Sequence, residues 1–301
     1  MMFEIYQGDA ASRLYELSSK SIQTTVTSPP YFRLRNYSEG HASEIGRERS
    51  IADYIANLVE VFSILREKTK DDGTLFLNLG DSYINGHLAG IPWRVALALA
   101  DSGWILRSDI IWRKPNAMPS SVKNRPTTDH EYIFMFAKSK KYFYDQDAIR
   151  EPHVTFSPDS KMRGGRAHLG KRGGTPEAGK NAGNANLHDG RWDQAFHPLG
   201  RNKRTVWDIS LGKFRGAHFA VFPELLVKNC VKAGSRQGDV VCDPFTGSGT
   251  TGVVAVKLGR SFVGTELVQE YVDLARSRIS AEIGLFKKRE GMSVFGVNGG
   301  F

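Results

Sequence analysis

Two short segments, more than two hundred residues apart, hold the side chains best suited to chemistry. The first is Thr27-Ser28-Pro29-Pro30-Tyr31. Two consecutive prolines fix the backbone, so the Ser28 hydroxyl and the Pro29 carbonyl can be held as neighbouring acceptors, with the Tyr31 ring beside them as a flat face. An exocyclic amine on a planar ring carries two N–H donors. Engaging both steers its nitrogen lone pair toward an incoming group, and the aromatic face can stack a base drawn out of a duplex.

The second segment, Asp243-Pro-Phe-Thr-Gly-Ser-Gly-Thr-Thr-Gly252, follows the apolar run Val240 to Cys242 and precedes a helical pattern. A glycine-rich turn between strand and helix lets backbone approach a ligand closely, and Gly247, Gly249 and Gly252 satisfy Gly-x-Gly-x-x-Gly. Glu266 stands 19 residues after Gly247 at the end of the next strand, where a carboxylate accepts hydrogen bonds from ribose hydroxyls. Up to this point a dinucleotide site is equally compatible. Asp243 at the head of the turn would repel a pyrophosphate but suit a cofactor bearing a sulfonium and an ammonium. No Gly-Lys-[Ser/Thr] follows, which disfavours an ATP-type phosphate loop. Taken singly, each segment could also be a plain structural turn. Together they point to group transfer onto a nucleobase.

The elements that must position these residues alternate between strand and helix. Residues 2 to 7 and 22 to 27 read as strands, the second ending at the proline pair. Ile51 to Leu65 carries apolar residues at helical spacing, and Gly73 to Gly80 is a buried strand. Ile91 to Ala100 is a helix and Ile105 to Trp112 a strand. Tyr132 to Ala137 with Tyr142 to Tyr144 reads as a terminal antiparallel hairpin. Beyond about residue 205, the helix from 222 to 233, the strand from 240, the helix from Thr250 to Leu258, the strand Ser261 to Gly264 and the helix from Val268 to Ile283 complete the pattern. The expected fold is α/β: a doubly wound, mostly parallel, seven-stranded Rossmann-like sheet.

Composition bounds the rest. With 301 residues, 40% hydrophobic and 24% charged, the chain reads as one α/β domain with an insertion. No apolar run approaches the roughly 20 residues of a membrane helix, and the first residues lack a secretory pattern. A cytoplasmic location with no membrane partner is expected. Cys230 and Cys242 read as buried reduced thiols, His130 as structural, and the eight scattered histidines predict no metal site. Of the formal charge of +9, a net +5 falls in residues 151 to 205, which hold ten Lys and Arg, five Asp and Glu, and nine glycines. Such a segment cannot bury its own core; it is either a solvated loop or an arm that meets a polyanion.

Val26 to Tyr31 with Asp243 to Gly249 resembles the amino-methylating DNA methyltransferases, specifically the permuted (beta) class in which the catalytic tetrad precedes the S-adenosylmethionine loop. The likeness extends through Gly8-Asp9, through His218 to Leu226, and through Gly259 to Glu266 with Glu270-Tyr271. It implies that Ser28, Pro29, Pro30 and Tyr31 are catalytic. It implies that Asp243, Phe245, Gly247 and Gly249 wall the methionine part of the cofactor, with Thr250 beside them. Glu266 would hold the ribose, Asp9 would lie near the adenine amine, and Phe222 with Pro223 would close the pocket. Family members with serine first in the tetrad resemble cytosine-N4 enzymes, whereas aspartate usually accompanies adenine-N6 methylation, so cytosine-N4 is expected and adenine-N6 is the alternative.

The resemblance divides the chain into a catalytic half at 1–150, a target-recognition insert at 151–205, a cofactor half at 206–284 and a tail at 285–301. In the insert, Arg163, Arg166, Lys171, Arg172, Arg191, Arg201, Lys203 and Arg204 would contact double-stranded DNA, and Trp192 or Phe196 would stack or fill a gap. The strand from Phe3 would lie beside the one ending at Glu266. A second copy of the chain and a restriction endonuclease are the protein partners the family suggests. The rivals are a nicotinamide-dependent oxidoreductase, a DNA-binding protein without cofactor activity and, as a lesser case, an RNA target.

Overall fold

A computed structural model describes residues 2–34, 44–152, 199–211 and 222–289, with side chains to residue 284. The chain forms two compact units, one of residues 1–145 and 205–301 and the other of residues 146–204.

The larger unit is built on an eight-stranded sheet. Its strands in chain order are β1 (Phe3–Gln7), β2 (Ile22–Thr27), β3 (Thr69–Leu79), β6 (Ile105–Arg113), β7 (His130–Ala137), β8 (Val206–Asp208), β9 (Val240–Asp243) and β10 (Ser261–Glu266); β4 (Tyr83–Ile84) and β5 (His87–Leu88) form a separate small hairpin. Across the sheet the order is β1-β10-β9-β2-β3-β7-β6-β8. Every neighbouring pair is parallel except those made by β7, which runs antiparallel to both β3 and β6. This is the doubly wound, mostly parallel sheet expected, with two differences. The antiparallel partner of Tyr132 to Ala137 is not the segment Tyr142 to Tyr144, which contains no strand, but β6 on one side and β3 on the other. The count is eight rather than seven because three residues, Val206 to Asp208, add to the outer edge of β6.

β2 is buried along its whole length, as a central parallel strand must be. Its β-branched residues suit the pleat, and its threonines are buried polar groups that need partners. Thr24 meets the Thr74 hydroxyl at 2.9 Å, and Thr27 donates to Asp243 at 2.6 Å. The helices α1 (Ala10–Tyr15), α2 (Ile51–Lys68) and α3 (Ile91–Asp101) pack through Leu14, Leu58, Phe62 and Leu99, all with no exposed surface. The helices α4 (Glu224–Gly234), α5 (Thr250–Lys257) and α6 (Gln269–Arg289) form the second layer, with Val227, Cys230 and Val256 buried. Both cysteines are free and buried, and burial pushes the Cys242 thiol far above its ordinary range, so it is inert as a nucleophile.

Two topological facts decide where a ligand can sit. β1 pairs with β10 in parallel, Phe3 opposite Phe262 and Gln7 opposite Glu266, so the first and last strands of the sheet in chain order are joined by one ladder. β2 pairs with β9, Thr25 opposite Cys242, so the turns that leave both strands emerge side by side at the carboxyl edge. That edge is where open α/β sheets bind ligands.

Among the described residues, no helix is long and apolar enough to cross a membrane and no His, Cys, Asp and Glu cluster could hold a metal ion. In the smaller unit the described residues include a 3-10 turn at Asp147–Ile149 and an antiparallel bridge between Glu151 and Arg201.

Candidate active site

The two turns meet in one cavity of about 430 Å³. Ser28, Pro29, Pro30 and Tyr31 line it together with Phe245, Thr246, Gly247, Thr250 and Glu266, and Asp9 and Phe222 complete the wall. Pro223, Asp243 and Gly249 are not on this wall.

The proline pair is rigidly seated. Tyr54 of α2 donates its hydroxyl to the Pro30 carbonyl at 2.9 Å. The Pro29 carbonyl meets no donor among the described residues, so it stands available to a ligand N–H, next to a Ser28 hydroxyl whose two hydrogen bonds are long, 3.3 Å from Asn78 and 3.4 Å to Tyr31. The Tyr31 ring packs on Gly80, where an added Cβ would lie 2.6 Å from Cε2, so glycine is required there for the ring to reach this position.

On the opposite wall, Glu266 fixes the glycine turn. One carboxylate oxygen accepts from the Gly247 N–H at 2.8 Å and the other from the Val268 N–H at 3.0 Å. Each oxygen keeps a second lone pair, so a pair of vicinal hydroxyls can be accepted without breaking either bond. Burial raises Glu266 above the ordinary carboxylate range, opposed by those backbone hydrogen bonds. Asp9 caps α1 by accepting from the Ser12 N–H at 2.9 Å and the Ser12 hydroxyl at 3.0 Å, which leaves its second oxygen for the cavity.

The three glycines of Gly-x-Gly-x-x-Gly have different physical reasons. At Gly247, with φ of +50°, an added Cβ would meet only the Phe245 carbonyl at 4.0 Å: the space above this residue is open cavity. At Gly249 an added Cβ would lie 2.8 Å from the Ala275 Cβ, and at Gly252 it would lie 2.3 Å from the Ile279 side chain. Those two glycines serve the packing of the loop and α5 against α6. A dinucleotide site needs its second glycine free for the pyrophosphate, and here that glycine is closed off by α6, which weakens the oxidoreductase alternative.

Asp243 likewise has a structural task. Its carboxylate is 1% exposed and accepts from the Thr27 hydroxyl at 2.6 Å, the Thr251 hydroxyl at 2.8 Å and the Phe245 N–H at 3.0 Å. It ties the end of β2 to the cofactor-type loop and the start of α5, so the two turns are held in register by one buried group. Desolvation raises its pKa from 3.8 to about 6 despite those hydrogen bonds. The unfolded carboxylate titrates lower, so the folded protein binds the proton more tightly between roughly pH 4 and 6, and stability falls as pH rises through that window. A shift of that size corresponds to about 3 kcal/mol. Asp243→Asn, which retains an acceptor and removes the charge, is therefore expected to gain stability over the wild type above pH 6 and to lose that advantage near pH 4. Urea titrations at the two pH values check this, and an increment that does not change with pH contradicts it.

Asn78, Trp112, Lys114 and Glu131 also line the cavity, and the sequence motifs assign them no role. Asn78 is the one amide in the apolar run of β3, a visible if weak sign. Arg163, Arg166, Lys171, Arg172, Arg191, Trp192 and Phe196 lie outside the described residues, as does His218. Of the remaining insert cations, Arg201 and Lys203 share the Glu151 carboxylate at 2.8 and 3.9 Å, and Arg204 is exposed.

The profile of a DNA methylase family of N6 and N4 enzymes matches residues 22–277. The Type II methyltransferase M.SmaI of Serratia marcescens is 42% identical over 92% of this chain and 90% of its own length. M.Cfr9I of Citrobacter freundii is 40% identical over 92% and 88% respectively. Among solved structures, a DNA modification methylase of Thermus thermophilus complexed with S-adenosyl-L-methionine superposes with a TM-score of 0.60 at 25% identity, covering 94% of this chain and 96% of that one. The PvuII DNA methyltransferase, described as cytosine-N4-specific, superposes at 0.66 with 20% identity over 96% and 92%, a likeness of fold.

Proposed function

We propose, for a chain that belongs to the DNA methylase family of N6 and N4 enzymes, that its reaction is methylation of the exocyclic N4 of cytosine in duplex DNA, on a base turned out of the helix. The cavity shared by the Ser28 turn and the Gly247 loop carries this reading. Ser28 and Pro29, which would grip the amine, and Glu266, which would hold the ribose, line this one cavity, and alignment of two reactants requires such nearness. The choice of cytosine rests on the serine that opens the tetrad, through the family resemblance.

S-adenosylmethionine, bound in that cavity, supplies a methyl group on a positively charged sulfur. The residues present fit it: open space over Gly247, two spare lone pairs on Glu266, a second oxygen on Asp9, and the Phe222 and Phe245 rings on the wall. Ser28 and the Pro29 carbonyl accept the two N–H groups of the amine, and Tyr31 offers the flipped ring a face. Because positive charge develops on the amine nitrogen, these fixed acceptors stabilise the transition state more than the ground state.

The basic segment 151 to 205 is assigned to DNA recognition. Its cations meet phosphates, so affinity for duplex DNA falls steeply with added salt; removal of residues 160 to 200 that leaves sequence preference unchanged would refute the assignment. A companion endonuclease fits the same reading, given that the similar proteins M.SmaI and M.Cfr9I are named Type II methyltransferases. Single-molecule sequencing of DNA from cells expressing the protein reports base and recognition site together. Modified cytosines at one short sequence support the proposal, and modified adenines alone move it to the N6 reaction.

A further inference from the structure

At the far end of the tetrad the cavity wall holds a chain of hydrogen bonds with a defined direction. Ser28 donates to the Tyr31 hydroxyl at 3.4 Å, and Tyr31 donates to the Glu131 Oε2 at 2.6 Å. Lys114 pairs with the other oxygen, Glu131 Oε1. Asn78 lies across all three members: its Nδ2 is 3.3 Å from Ser28, 2.8 Å from the Tyr31 hydroxyl and 2.8 Å from Glu131 Oε2.

An ionised carboxylate only accepts, so Tyr31 must donate toward Glu131. The Asn78 NH2 only donates, and its two hydrogens are shared among the three oxygens around it, so each hydroxyl meets a donor there and is left to donate onward. Asn78 is 2% exposed, and its own Oδ1 has no hydrogen-bond partner. An unmet buried acceptor is destabilising, and the opposite amide orientation would set that oxygen against the Glu131 carboxylate. The arrangement thus leaves one acceptor unmet and keeps the Ser28 and Tyr31 hydroxyls donating toward Glu131.

We infer that Glu131 is the terminal proton acceptor of a relay running from Ser28 through Tyr31, which removes the proton released when the exocyclic amine is methylated. The inference rests on the amine-methylation reading above. The N–H bond of the methylated cationic amine breaks and its proton goes to Ser28 Oγ; the Ser28 hydroxyl proton passes to Tyr31, and the Tyr31 proton to Glu131 Oε2. The base ends neutral, both hydroxyls are restored, and the carboxylate becomes a carboxylic acid. Lys114 stays charged throughout and holds the acceptor in place, making Lys114 and Asn78 positioning residues.

The titratable groups that face Glu131 are Lys114 beyond β6 and Tyr31 after β2; Tyr54 of α2 lies behind the tetrad at the Pro30 carbonyl. Glu44, Asp9, Glu266 and Tyr271 line the same cavity. Burial with the neighbouring Glu131 holds the Tyr31 hydroxyl well above its ordinary pKa, so Tyr31 passes a proton without resting as a phenolate.

The test is the pH profile of a single turnover at saturating cofactor and DNA. A relay that needs a free terminal acceptor gives the wild-type rate an acid limb. Glu131→Gln is expected to be about a hundredfold slower and to lose that acid limb, with cofactor affinity by calorimetry and base extrusion by a fluorescent analogue unchanged; Glu131→Asp regains part of the rate and the limb. Should the glutamine variant fail to bind cofactor, Tyr31→Phe, which cuts the relay but leaves the Lys114 pair, is expected to lose the limb. A glutamine variant within about threefold of the wild type, or a slow variant that keeps the same acid limb, overturns the relay. Wild-type protein that makes no methylated exocyclic amine overturns the parent reading instead, so the two failures are distinct.

Discussion

Replacing Ser28 by alanine is expected to slow methyl transfer by about a hundredfold while cofactor affinity stays within about twofold, and replacing Glu266 by alanine to do the reverse. The two residues stand on facing parts of one cavity but touch different partners. The Ser28 hydroxyl makes only bonds of 3.3 and 3.4 Å, so its loss disturbs the fold little and removes an acceptor from the reacting amine. Glu266 makes two backbone hydrogen bonds that shape the Gly247 turn, and its spare lone pairs serve a ribose. Since the ionised form accepts both hydroxyls and burial has raised this carboxylate, cofactor affinity also weakens on acidification earlier than for an exposed glutamate. Calorimetry with S-adenosylmethionine and rapid-quench turnover separate the two quantities. Equal losses in both for either variant would mean that the roles are wrongly divided.

Gly247→Val is expected to raise the cofactor dissociation constant about a hundredfold, close to 3 kcal/mol, in a protein that remains folded. The side chain would enter open cavity, with the Phe245 carbonyl 4.0 Å from its Cβ, and the φ of +50° adds about 2 kcal/mol of strain, which a thermal melt reads separately from cofactor affinity. Gly252→Val inverts the outcome. Its Cβ would lie 2.3 Å from Ile279 and 2.8 Å from Phe262, so about 3 kcal/mol of stability is lost through overpacking. Thermal melts beside calorimetry check the pair. A Gly247→Val protein that binds cofactor like the wild type would show that the space above the turn is not the cofactor's.

Much of the site was legible because its signals are local. A proline pair ends a strand, and Asp243 to Gly252 reads as a strand-to-helix turn from its residue types, while the roles of the two segments came from their combination and the family resemblance. The first strand does lie beside the last, Phe3 opposite Phe262, but the turns themselves are brought together by the pairing of β2 with β9. What escaped depends on register between distant strands. Glu131 faces Tyr31 only because β7 runs antiparallel between β3 and β6, and the expected hairpin with residues 142 to 144 would have put it elsewhere. β8 is three residues with one buried side chain, too short for any periodicity to mark. Asp243 and Gly249 sit in the motif but off the cavity wall, since whether a loop residue meets ligand or protein depends on α6 and β2 packing behind it.

The most direct test of the account is mass spectrometry of the nucleosides released from duplex DNA after incubation with purified protein and S-adenosylmethionine. The account expects N4-methylcytosine, absent when Ser28 is replaced by alanine over the same short incubation. N6-methyladenine as the sole product, or no modified base from a protein that binds both cofactor and DNA, would contradict it.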